Sequence, residues 1–136
     1  MIVPFVKAQA VGNDFLIVEW SALEAAGLRE DKLAPFARRI CDRHYGLGAD
    51  GLEVIYPAKS SQADCSIRIF NSDGSEAELS GNGTRCVAAY LFAEDPAKDS
   101  LRIATKAGVK RLWLKPRSSI FRPSVHPTAA ITDGRR

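Results

Sequence analysis

Apolar residues recur in two rhythms along this chain of 136 residues, and the changes of rhythm mark its elements. Residues 2–9 and 15–20 are rich in β-branched and aromatic side chains and flank Val11-Gly12-Asn13-Asp14, which predicts two strands joined by a short polar loop. Over 31–45, Leu33, Phe36, Ala37, Ile40 and Cys41 fall three and four apart. This spacing predicts a helix, with Asp31 suited to cap its start and Gly46 to end it. A strand over 52–56 and a surface turn over 57–62 follow. Ile67 and Ile69 then alternate with Ser66 and Arg68, a strand that runs into the turn residues Asn71-Ser72-Asp73-Gly74. Beyond it Ser80 precedes Gly81-Asn82-Gly83, and Val87, Ala88, Tyr90, Leu91 and Phe92 return to helical spacing, so Ser80 is a candidate cap. Pro96 stops that helix. Residues 101–105 and 109–114 form a last predicted strand pair around Lys106-Ala107-Gly108, with Trp113 read as core.

From Pro116 the period fails. Pro116, Pro123 and Pro127, with serines and arginines between them, leave no apolar face, and 116–136 are expected to be an irregular basic tail behind a folded domain of 1–115. Charge divides the same way. Residues 1–109 hold 12 basic and 15 acidic side chains, net −3, whereas 110–136 hold 7 and 1, net +6, so the overall +3 belongs to the tail. A nucleic-acid binder needs a basic face on its folded body, and this body does not provide one. At 46% hydrophobic and 26% charged residues, the composition is that of a soluble globular domain. No apolar run reaches the roughly 18 residues that span a bilayer, and Met-Ile-Val-Pro-Phe-Val-Lys shows no secretory signal. A cytoplasmic protein without a membrane partner is expected.

Candidate chemistry concentrates over 67–91. A helix that opens on glycines presents unshielded backbone N–H groups and the positive end of its dipole, a fit for a carboxylate. Asn71 and Asn82 can add amide donors or acceptors at the same mouth. Gly46-Leu47-Gly48-Ala49-Asp50-Gly51 formally fits G-x-G-x-x-G, but it closes a helix and opens a strand, the reverse of the dinucleotide-binding order, and that reading is rejected. Cys41, Cys65 and Cys86 are odd in number and widely spaced; they read as buried free thiols. Cys41 and His44 alone do not make a zinc site, which usually needs four ligands, so no metal is expected.

Asn71-Ser-Asp-Gly-Ser-Glu-Ala-Glu-Leu-Ser-Gly-Asn-Gly-Thr-Arg-Cys86 closely resembles the N-terminal active-site segment of the diaminopimelate epimerases, cofactor-independent isomerases related to the proline racemases. Gly12-Asn13-Asp14-Phe15 and Asp42-Arg43-His44-Tyr45-Gly46-Leu47-Gly48-Ala49-Asp50-Gly51 resemble two further segments of that family in the right order. The resemblance spans about 3–115 and implies an α+β fold, a mixed, mostly antiparallel curved sheet or half-barrel wrapped on a central helix. It also implies substrate-binding roles for Asn13, Asn71, Gly81 and Asn82. Two departures accompany the matches. Ser80 stands where the family has the first of its two catalytic cysteines, and the family's second domain has no counterpart in this sequence. Gly51 also takes a position where a Gln is common.

Three functions follow as expectations. The first is an amino-acid epimerase lineage, with diaminopimelate implied as substrate, no cofactor, and Ser80 at the base position. Two-base proton transfer at the α-carbon would interconvert the LL and meso forms in the biosynthesis of lysine and cell-wall precursors. The second is a catalytically degenerate domain that binds an amino acid or a partner protein. The third is a proline racemase-like epimerase or dehydratase in which Ser80, aided by a neighbouring base, serves as catalytic base. A homodimer is compatible with all three.

Overall fold

The structure, a computed structural model, describes residues 3–113 and the backbone of 124–127. Its sheet has the order β7-β6-β4-β3-β2-β1-β8, with β5 paired to β4. The strands are β1 (Val6–Ala10), β2 (Asn13–Glu19), β3 (Gly51–Pro57), β4 (Cys65–Asn71), β5 (Glu76–Ala77), β6 (Ser100–Thr105), β7 (Gly108–Trp113) and β8 (Ser124–Pro127). Two pairings, β2 with β3 and β4 with β6, are parallel, and the others are antiparallel. This is the expected mixed, mostly antiparallel sheet, curled into a half-barrel around a helix.

Each parallel pair needs a crossover. Helices α1 (Trp20–Ala25) and α2 (Leu33–Ile40) bridge β2 to β3, and α3 (Gly81–Glu94) bridges β4 to β6. Because β4 runs opposite to β2 while both crossovers step the same way across the sheet, a common right hand puts their helices on opposite faces. The cores agree. Leu16, Val18, Leu52, Val54 and Phe70 pack under α1 and α2 with Leu23, Leu33, Phe36 and Ile40. Phe15, Ile17, Ile55, Ile67 and Ile69, the alternate positions of the same strands, pack under α3 with Cys86, Val87 and Phe92. Each such aliphatic or aromatic side chain contributes roughly 1.5–3 kcal/mol on burial.

Four local expectations are corrected. Residue 20 leaves the strand and starts α1, where Trp20 stacks on Tyr56 with ring centroids 5.7 Å apart. The helix expected over 31–45 is shorter: a 3-10 turn at Glu30–Lys32 precedes α2, and Asp31 pairs with Arg29 at 2.6 Å instead of capping. It stops at Ile40 because the Asp42 carboxylate accepts the N–H groups of His44 and Tyr45, at 2.8 and 2.9 Å, in competition with helical bonding. Trp113 is not core. It lies 61% exposed on β7, with the Arg111 guanidinium over its ring. Finally, 124–127 are not irregular: they form β8, which pairs antiparallel with β1 from Val6↔Pro127 to Gln9↔Ser124. The backbone of β1 supplies the template that the side chains of this proline-bounded stretch do not announce. The remainder of the tail over 116–136 lies outside the described residues.

Since β8 covers the outer edge of β1, the tail contributes to stability. At roughly 0.5–1.5 kcal/mol net for an intramolecular hydrogen bond, a pairing this short is worth on the order of 1–3 kcal/mol. A chain ending at Lys115 should unfold at correspondingly lower urea than the full chain. Coincident urea midpoints would mean that β8 pairs without stabilising β1.

Candidate functional site

The four predicted binding residues come from three separate segments, and the sheet register brings them to one end. Phe15 pairs with Gly51, and Gly51 with Asn71, so the start of β2, the start of β3 and the end of β4 lie side by side. Strand alternation puts Asn13, two residues before Phe15, and Asn71, two after Ile69, on the face that α3 covers. Helix α3 begins at this end because its crossover leaves from β4. Asn13 and Asn71 are exposed; Asn71 Nδ2 donates to Ser75 Oγ at 3.0 Å, inside the turn that follows β4.

The opening turn of α3 is built as the sequence predicts. Ser80 has extended backbone and its Oγ accepts the Gly83 N–H at 3.0 Å, while its carbonyl accepts the Thr84 N–H at 2.8 Å and the Thr84 hydroxyl at 2.7 Å. That leaves the N–H groups of Gly81 and Asn82, which have no acceptor within the helix. Gly81 is exposed, and a Cβ placed on it would touch nothing within 4 Å. The two N–H groups and the positive helix end form a mouth suited to an anion such as a carboxylate, and Asn13 and Asn71 lie at the corresponding end of the sheet.

Below this mouth lies a residue the sequence reading did not single out. Glu53, on β3 between cross-strand neighbours Ile17 and Ile69, is fully buried on the α3 face. Neither carboxyl oxygen has a hydrogen-bond partner among the described residues. Burial alone raises its pKa well above the usual carboxylate value. A Cβ on Gly83 would meet Glu53 Oε1 at 2.8 Å and Ser80 Oγ at 3.1 Å, so glycine is the residue that lets the helix settle between them. One signal was available in the sequence: Glu53 is the single charge in the apolar run from Leu52 to Tyr56, and period two points it inward.

The segment around Gly46 also follows a physical logic. A Cβ on Gly46 would collide with the carbonyls of Arg39 and Ile40, and one on Gly51 would meet the Phe70 carbonyl at 2.9 Å and the Phe15 ring at 3.1 Å. With Phe15 and Phe70 so placed, a longer side chain at position 51 requires the neighbours to shift. The Asp14 and Asp50 carboxylates each accept the other residue's backbone N–H, both at 3.0 Å. Arg43 spans Asp14 with two bonds of 2.9 Å and reaches Asp50 at 3.2 Å, and Lys7 lies 3.3 Å from Asp14. Asp14 lies on the α2 face, and this cluster fastens the start of β2, which carries Asn13, to the loop before β3.

The thiols offer no base. Cys41, Cys65 and Cys86 are free and buried, and burial pushes them up to about 12, 11 and 12. Cys86, six residues beyond Ser80, is fully buried in the core beneath α3. No group of three or more metal-ligating side chains occurs among the described residues, and none of the helices there is long and apolar enough to cross a membrane.

A family model described as diaminopimelate epimerase matches residues 5–121. Diaminopimelate epimerase of Carboxydothermus hydrogenoformans is 45% identical over 106 residues, covering 77% of this chain and 37% of that protein. The Methanocaldococcus jannaschii protein of the same name is 40% identical over 106 residues, covering 78% and 35%. This chain therefore spans well under half the length of the curated relatives it matches. Among solved structures, a PhzF-family phenazine biosynthesis protein of Bacillus anthracis aligns with a TM-score of 0.60 at 27% identity, covering 85% of this chain and 36% of that one. A hydroxyproline epimerase of Agrobacterium vitis aligns with a TM-score of 0.61 at 16% identity, covering 85% and 38%, a likeness of fold alone.

The acidic cluster makes a prediction about stability. The Arg43 guanidinium holds the Asp14 carboxyl well below the usual carboxylate range, overcoming the opposing effect of burial, with the Asp50 N–H adding to it. A carboxyl whose folded pKa is depressed binds more protons when unfolded, so its stabilisation is present above the unfolded value of 3.8 and is lost as pH falls below it. Arg43→Ala should lower the unfolding free energy at pH 7 by about 1.5–3 kcal/mol, the range for hydrogen bonds to a charged group. The gap from wild type should close as pH is taken below 3.8. A gap that persists unchanged in acid would assign the loss to Arg43 packing rather than to its charge.

Proposed function

Because this chain belongs to the diaminopimelate epimerase family, we propose that it forms one side of the active site of an amino-acid epimerase that moves the α-proton of diaminopimelate without a cofactor. The observation that carries the reading is the convergence of the α3 opening with Asn13 and Asn71 at one end and on one face of the sheet. In this reading the substrate α-carboxylate lies against the Gly81 and Asn82 N–H groups. The amides of Asn13, Asn71 and Asn82 orient the amino acid, and Ser80 takes the place of the family's first cysteine base. Removing an α-proton builds negative charge onto the carboxylate, so donors already aimed at it lower the barrier as that charge develops.

Inversion requires a base on each side of the α-carbon. All three thiols of this chain are buried, so the second base is not a cysteine from this side. On this side of the site the amino acid is bound and its α-hydrogen is exchanged from one face. The Ser80 hydroxyl, already used as a helix cap, also supports a second reading, a domain that binds the amino acid and does no chemistry. A proline racemase-like epimerase or dehydratase is a third reading, and the hydroxyproline epimerase neighbour shares the fold on which it would rest.

Diaminopimelate titrated into labelled chain should shift the amide signals of Asn13, Asn71, Gly81 and Asn82 in NMR spectra. Asn82→Ala should weaken binding roughly 10- to 100-fold, as loss of a hydrogen bond to a charged group does. In heavy water, deuterium should enter the α-carbon without inversion, and Ser80→Ala should stop it. Absence of binding would sink the proposal, whereas binding with no exchange selects the second reading.

A further inference from the structure

Glu53 is an unfavourable residue for its position. A buried polar group without a hydrogen bond destabilises a fold, and a buried unpaired carboxylate does so more strongly. The strands on both sides meet it with isoleucine, and no ion pair reaches it among the described residues. Packing alone favours an aliphatic residue here. Its place in the fold, however, is specific: it lies directly beneath the first turn of α3, separated from Ser80 only by the side-chain-free Gly83.

We propose that Glu53 is the proton acceptor and donor behind Ser80, forming with it a hydroxyl–carboxyl pair that does the work of a single thiol. The inference rests on the epimerase reading given above. A serine hydroxyl is too weakly acidic to act as a base unaided and needs a neighbour to take its proton. In the removal step, Ser80 Oγ forms a bond to the substrate α-hydrogen as the Cα–H bond breaks. The hydroxyl's own proton passes to the Glu53 carboxylate, the substrate becomes a carbanion, and Glu53 becomes a neutral acid. In the return step Ser80 protonates the α-carbon and Glu53 re-protonates Ser80; exchange of the Ser80 hydroxyl with solvent while the carbanion persists is what carries deuterium to the α-carbon in heavy water. No further reactant is needed.

The geometry allows this relay in one short adjustment. No direct hydrogen bond joins Ser80 Oγ and Glu53, but both border the volume that any Cβ at position 83 would fill. A side-chain rotation or one intervening water closes the gap, and catalytic hydrogen bonds are often long before substrate binds. Acceptance of the Gly83 N–H occupies one lone pair of Ser80 Oγ and leaves its proton able to move. Glu53 acts through Ser80 and does not touch substrate, so it is a positioning and proton-relay residue.

Its ionisation should govern the rate. The raised pKa of Glu53 places the inflection well above the ordinary 4.5, with exchange rising as pH increases through it because proton removal needs the carboxylate. The titratable group facing Glu53 from α3 is Cys86; Ile17 and Ile69 face it from β2 and β4. A Cys86→Ala variant should retain the inflection, which assigns it to the carboxyl.

The test is α-deuterium incorporation into diaminopimelate by the full chain, in a cycle of Glu53→Gln and Ser80→Cys. A thiol at a helix N-terminus has a lowered pKa and can act without a relay. Glu53→Gln should therefore cost at least tenfold more exchange in the wild-type background than in the Ser80→Cys background, and should remove the pH inflection. Glu53→Leu should raise the melting temperature while losing exchange. Equal losses in both backgrounds would reduce Glu53 to a structural role and overturn the pair. Exchange seen only with Ser80→Cys would overturn the pair while leaving the epimerase site intact. Loss of diaminopimelate binding in wild type would instead refute the epimerase reading itself.

Discussion

The parallel pairing of β4 with β6 is the constraint on which the site depends. To enter β6 in the direction of β4, the chain must travel back along the sheet, and α3 makes that return. Its first residue must then lie where β4 stops. The antiparallel pairing of β3 with β4 and the parallel pairing of β2 with β3 bring the starts of those two strands to the same place. Topology thus collects three segments spread over about 70 residues at one helix N-terminus, the local feature of a fold best suited to holding an anion.

Two buried carboxyls show how differently the same chemical group can be treated in one sheet. Asp14 lies on the α2 face, where Arg43, Lys7 and the Asp50 N–H satisfy it and join the start of β2 to the loop before β3. Glu53 lies on the opposite face, under the mouth, with no partner among the described residues. The first arrangement stabilises the scaffold. The second weakens it, and unsatisfied groups of this kind are expected where a site requires a group that folding would reject.

Much of this was legible in the sequence. The β1–β2 loop, the strand carrying Ile67 and Ile69, the Ser80 cap and the halt before Pro96 each rest on a local signal strong enough to survive tertiary context. What escaped is non-local. The six-residue α1 continues an apolar stretch with no break in composition, and the two-residue β5 is fixed by its partner β4. Likewise β8 exists because β1 presents a free edge. Trp113 misled because an aromatic residue in an alternating strand resembles core, whereas β7 has a neighbour on one side only in the described sheet. The Asp14, Arg43 and Asp50 cluster joins residues up to 36 positions apart, and no spacing rule announces it.

Ser80 shows why structure and chemistry must be argued together at this helix. Serine is among the better capping residues, and here its hydroxyl stabilises the turn that presents the Gly81 and Asn82 N–H groups. A thiol would cap less well, being a weak hydrogen-bond acceptor, but its pKa lies near enough to neutrality for the helix end to draw it into the thiolate form. The hydroxyl starts much further from ionisation, and the same field cannot bring it there. Any proton chemistry at this position must therefore borrow basicity from a neighbour. The buried carboxyls among the described residues are Asp14 and Glu53. Asp14 is committed to Arg43 across the sheet, which leaves Glu53, on the correct face and beside the one glycine whose missing side chain keeps the space between them open.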